Sequence, residues 1–233
     1  MTRFLRFSLV AALFFGGSEF LFLTFDLPSV MQPRAYAESS ADLGLNAQLI
    51  VAARNDDLVT VRRVLDKGAS PNSRNRAGDT ALMIFVRKSN AEMVALLIEK
   101  GADVNLQNVE KVSPLMAAAH SGDAVIVRML LDQGADVNAI DQVFKTAMVY
   151  AAGQGNTQIV AMLLDAGVDV DKAYHHDLTA LMWAAGYGKT ETARLLLDRA
   201  ADPGLKDDRG KTAAEIARDA NYKEVAAILG VKD

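Results

Sequence analysis

Cysteine is absent from the 233 residues. That excludes a disulfide framework, a thiolate metal site, a cysteine nucleophile and a lipid-modified cysteine. Aromatic residues are scarce at 6%, and there is a single tryptophan. Positive charge is not in excess either: the formal net charge is −4, so no general electrostatic pull toward nucleic acid is expected. Nowhere does the chain carry a G-x-S-x-G elbow, a Walker loop or a paired-histidine zinc signature. What is plentiful is apolar: 51% of residues are hydrophobic, which excludes a disordered acidic chain. A mass of 25.0 kDa leaves room for one domain or two small ones.

The first 37 residues are of different material. Arg3 and Arg6 precede an apolar run from Phe7 to Gly17, a second run spans Phe20 to Phe25, and the segment closes on Ala35-Tyr36-Ala37. A basic start, an apolar centre and small residues at an A-x-A site describe a secretory signal peptide cleaved after Ala37. Seven of the nine phenylalanines lie in this leader, and its removal takes away three arginines and two acids, moving the charge from −4 to −5. The rival reading is an uncleaved anchor, because Phe7–Phe25 approaches the length that spans a bilayer. Glu19 in its middle and the A-x-A site favour cleavage, hence no membrane attachment of the mature chain, which is expected in a periplasm or secreted.

Beyond the leader the chain repeats itself every 33 residues. Gly68, Gly101, Gly134, Gly167 and Ala200 share one column, Asn72, Asn105, Asn138, Asp171 and Gly204 a second, and Thr80, Ser113, Thr146, Thr179 and Thr212 a third. A fixed period of this kind signals a stacked array. Within each unit Thr or Ser is suited to N-cap a first helix, with Pro114 at the first helical position of one copy. Alanine pairs such as Ala118-Ala119 and Ala151-Ala152 mark the centre of that helix, and Gly122, Gly155 or Gly188 reverses the chain. A second helix with an apolar stripe follows, for example over Ala124–Gln133, and the glycine column ends it with a left-handed residue. An extended loop leads to the next Thr.

Read together, "SPLMAAAHSGDAVIVRMLLDQGADVN" (Ser113–Asn138) and its copies resemble the ankyrin-repeat family, from about Asn46 to the C-terminus. The resemblance implies an all-α class, an α-solenoid of helix-turn-helix units with extended hairpin loops. It sets out a linker at 38–45, an N-terminal capping repeat at 46–75, four repeats at 76–108, 109–141, 142–174 and 175–207, and a C-terminal capping repeat at 208–233. Each unit is too short for a core of its own, so stacking supplies it. Two departures stand out. The family's histidine column reads Met83, Met116, Val149, Met182 and Glu215, so stability is expected to lean on apolar packing. The hairpin-tip glycine survives at Gly78 and Gly210 but becomes Lys111, Phe144 and Asp177 between them, which demands a positive φ or another turn.

The resemblance places binding positions on the finger tips and the exposed end of the first helix. They read Val109, Glu110 and Val112 with His120; Gln142, Val143, Phe144 and Lys145 with Gln154; and Tyr174, His175, His176 and Leu178 with Tyr187. Apolar residues on such loops suit a partner surface, unless neighbouring fingers cover one another. Trp183 is read as packing between units. Arg54, Arg74, Arg76, Arg87 and Lys88 form a possible basic patch on the same side, able to receive an acidic or phosphate-bearing partner. His120 lies too far along the stack to share a metal with His175 and His176, and "GYGKT" (Gly186–Thr190) reads as a helix reversal rather than a phosphate loop. No metal, cofactor or catalytic residue is therefore expected. The expectation is a monomeric, non-catalytic scaffold for a protein partner, binding or protecting an envelope protein; the alternative is an exported effector that binds host proteins.

Overall fold

The computed structural model describes residues 44–230. The expected signal peptide and its cleavage site, and all but the last two residues of the expected linker, lie outside them. Gly44 and Leu45, placed in that linker, instead cap and open the first helix.

Among the described residues the protein is all-helical, with twelve α-helices in six consecutive pairs. They are α1 (Leu45–Arg54) and α2 (Leu58–Asp66), α3 (Ala81–Arg87) and α4 (Ala91–Glu99), α5 (Pro114–Ser121) and α6 (Ala124–Asp132), α7 (Ala147–Gln154) and α8 (Thr157–Asp165), α9 (Ala180–Gly186) and α10 (Thr190–Asp198), and α11 (Ala213–Asp219) and α12 (Lys223–Ile228). The odd-numbered helices stack on one another as one layer and the even-numbered as a second. This is the solenoid that the 33-residue period predicts.

The columns explain themselves once stacked. Each hydroxyl of the Thr/Ser column accepts from the backbone N–H three residues on, at 3.2–3.4 Å, and so caps the first helix of units two to six. Asp57, Asn90 and Asp123 cap second helices in the same way. The Asn column clamps one unit to the next: Asn72 Oδ1 accepts from Asp103 N–H, and Asn105 Oδ1 from Asp136 N–H, both at 2.8 Å. Where the family has histidine, Met83, Met116, Val149 and Met182 are buried, and Met116 Sδ accepts from Ser113 N–H. The lost polar tie is thus replaced by apolar packing. The alanine pairs of α5, α7 and α9 are sealed from solvent, which lets neighbouring helices approach closely.

Between helix pairs five loops project as fingers. Their tips, Gly78, Lys111, Phe144, Asp177 and Gly210, all have φ between 55° and 78°, so the turn geometry persists where glycine does not. In the first finger glycine is required for a second reason. A Cβ on Gly78 would come within 2.8 Å of Val109 N, in the backbone of the next finger.

Candidate functional site

An Asx residue organises most fingers. Asn75, Asn108, Asp141 and Asp207 occupy one column, and each accepts with Oδ1 from backbone N–H groups of its own loop. Tyr174 stands in that column in the fourth finger and cannot do this. There the chain makes a 3₁₀ turn over His175–Asp177, and His176 joins Asp177 at positive φ.

Neighbouring fingers are joined in two different ways. Backbone bonds link the first to the second (Val109 N–H to Ala77 O, 2.9 Å), the second to the third (Gln142 N–H to Glu110 O, 3.0 Å) and the fourth to the fifth (Asp208 N–H to His176 O, 3.1 Å). Third and fourth meet through side chains instead: the Phe144 ring stacks on His175 at 4.9 Å with an interplanar angle of 6°. Behind this stack lies a cavity of about 160 Å³, lined by Val143, Phe144, Lys145, Val149, Tyr174, His175, His176, Leu178 and Trp183. Seven of the fourteen residues expected at the binding surface converge on it.

The remaining seven sit around it. Val109, Glu110 and Gln142 are exposed on the second and third fingers, and Val112 is half-buried. His120 and Gln154 are exposed at the ends of α5 and α7 and touch each other, Nδ1 to Nε2, at 3.2 Å. Tyr187 follows α9 and stacks on Trp183 at 5.9 Å. Mutual covering of the fingers is only partial: Val109 is 62% exposed, Val143 60% and Phe144 53%, whereas Tyr174 and Leu178 pack against the core.

Trp183 packs against the core and the preceding unit, half-buried beside Gly153 and at the cavity wall, and it shares a repeat column with Ile84, Ala117, Tyr150 and Ile216. The same column contains a site residue that sequence reasoning missed, Tyr150. Its ring meets His120 edge-on at 5.4 Å, and its hydroxyl donates to Asp141 Oδ2 at 2.5 Å. Burial, then the bonded Asp141 carboxylate, pushes the Tyr150 hydroxyl well above the usual phenol range. Two aromatic residues in one otherwise aliphatic column was the available signal.

The polar groups of the cavity are unevenly matched: His176 Nδ1 lies 2.6 Å from Asp208 Oδ2, whereas Lys145 has no such partner among the described residues. Lys145 Nζ lies over the Trp183 ring at 5.0 Å and the Tyr150 ring at 5.6 Å, and among the described residues it forms no ion pair. Three buried side-chain polar atoms among the described residues lack a hydrogen bond, and two of them, Trp183 Nε1 and Tyr174 Oη, belong to cavity residues. The Tyr174 hydroxyl is near Thr146 but outside good hydrogen-bond geometry, and burial pushes it up to about 12.

The expected basic patch is quieter. Arg87 pairs with buried Asp79 at 3.1 Å, Lys88 with Asp56 at 2.7 Å, and Arg74 donates to Gln107 O. Arg54 and Arg76 are exposed. Among the described residues no group of three or more His, Asp or Glu side chains is arranged to hold a metal, and no helix is long and apolar enough to cross a membrane.

A family model described as ankyrin repeats, in three copies, matches residues 49–141, 100–174 and 148–232. Comparison with curated proteins found no match.

Proposed function

Because the chain belongs to the ankyrin-repeat family, we propose that it is a non-catalytic scaffold that holds a partner protein on its fingers and first-helix ends, outside the cytoplasm. A fold alone does not fix a function. The observation that carries the reading is the third and fourth finger pair, where exposed Val143 and Phe144 adjoin an apolar cavity that Lys145 lines without an ion pair. Apolar side chains held on loops over a rigid stack suit a binding hot spot. The location outside the cytoplasm rests on the leader-like sequence of residues 1–37, and binding or protection of an envelope protein is the role that fits both.

Affinity capture tests the reading. Residues 38–233 as bait in an envelope extract are expected to retain a defined protein, and to lose it when Val143 and Phe144 are changed to serine. Retention unaffected by both changes contradicts the assigned surface. Cell fractionation tests the location: the protein is expected in the periplasmic or secreted fraction, and cytoplasmic retention contradicts it.

A further inference from the structure

The cavity between the third and fourth fingers has a chemical bias that narrows what can occupy it. Its walls are mostly apolar, from Val143, Phe144, Val149 and Leu178. Its free polar head is a donor, the Lys145 ammonium, which has no acceptor capacity and no ion pair among the described residues. Asp141, the nearest carboxylate in the loop sequence, forms no ion pair with Lys145; its oxygens accept from Val143 N–H, Lys145 N–H and the Tyr150 hydroxyl. A half-buried ammonium held only by ring faces gains most from a carboxylate.

We propose that this cavity is the anchor pocket for an extended segment of a partner protein that bears an apolar side chain with a carboxylate beside it. The apolar side chain enters between Phe144 and Trp183, and the carboxylate pairs with Lys145. A protein segment fits better than a free small acid, because the aromatic surface continues past the cavity through Tyr187, Tyr150 and His120. The proposal rests on the interaction reading above and names the chemistry of its partner.

Trp183 is the only tryptophan in the chain, so its emission reports on this cavity directly. The full chain is titrated with a positional-scanning library of acetylated, amidated hexapeptides while Trp183 fluorescence is followed. Pools that place Asp or Glu next to Phe or Leu are expected to shift the emission. Lys145→Gln should weaken those pools by about tenfold or more, and Lys145→Arg should restore most of the affinity. The thermal midpoint of both variants should stay at that of the parent protein. Three results overturn the proposal: selection without a carboxylate, equal affinity in Lys145→Gln, or phenylacetate alone shifting the emission as strongly as the best pool at equal concentration. If the envelope partner is retained equally by parent and Lys145→Gln, the pocket assignment falls while the scaffold reading stands. If no partner is retained and no pool is selected, both fall.

Discussion

The first two fingers and the third and fourth are built on the same repeat, yet they settle their polar groups in opposite ways. In the first pair Asn108 Nδ2 and Arg87 Nη1 reach the buried Asp79 carboxylate, Lys88 neutralises Asp56, and a backbone bond joins Ala77 to Val109. In the second pair a ring stack takes the place of the backbone bond, a lysine rests on aromatic faces without an ion pair, and two buried donors go unmatched. The lesson is that charge counted along a sequence does not locate a binding site. In the arginine-rich stretch Arg87 and Lys88 meet carboxylates, while Lys145 rests on ring faces without one.

That contrast can be broken most forcefully at the tips. Gly78→Ala adds a Cβ that meets Val109 N, at a positive φ, and should cost about 2–4 kcal/mol in denaturant unfolding. A smaller loss is expected from Arg87→Ala. It strips the buried Asp79 carboxylate of its cation and should cost about 1–2 kcal/mol.

Across the divide the sign reverses. Tyr174→Phe removes an unmatched buried hydroxyl and should stabilise by about 1 kcal/mol in the same assay. It should also change the alkaline limb of the stability profile. The Tyr174 hydroxyl is held up at about 12 in the folded protein, above its ordinary value of 10.0, chiefly by burial. Its contribution is therefore whole below pH 10 and is lost as pH rises through about 12, a loss that Tyr174→Phe abolishes. The smallest effect is at the other tip: Phe144→Gly gives up the stack on His175 but relieves a positive φ, so its net change in stability should stay within about 1 kcal/mol.

Much of this fold was legible because a repeat writes its own alignment. The Thr/Ser column predicted the caps, the glycine column the left-handed helix ends, and the alanine pairs the close-packed inner layer. The methionines in the histidine column announced an apolar substitute for a polar tie. What escaped was whatever depends on partners distant in sequence. Arg87 and Lys88 read as a free patch because nothing in the spacing puts Asp79 and Asp56 beside them. Tyr174 in the Asx column was a visible departure, but that it forces a 3₁₀ turn and strands its own hydroxyl follows only from packing. Tyr150 was overlooked because its column is aliphatic in most units. That the fingers are partly open, rather than closed on each other, was beyond the sequence.

The central claim is that stability and recognition are carried by different parts of the molecule, the stacked helices for one and the third and fourth fingers for the other. Its most direct test is to measure, on one preparation, the thermal midpoint and the partner retention of the Val143→Ser, Phe144→Ser double variant. The account predicts a midpoint within about 3 °C of the parent and a loss of most of the retained partner. A steep fall in the midpoint, or a partner held as tightly as before, would contradict it.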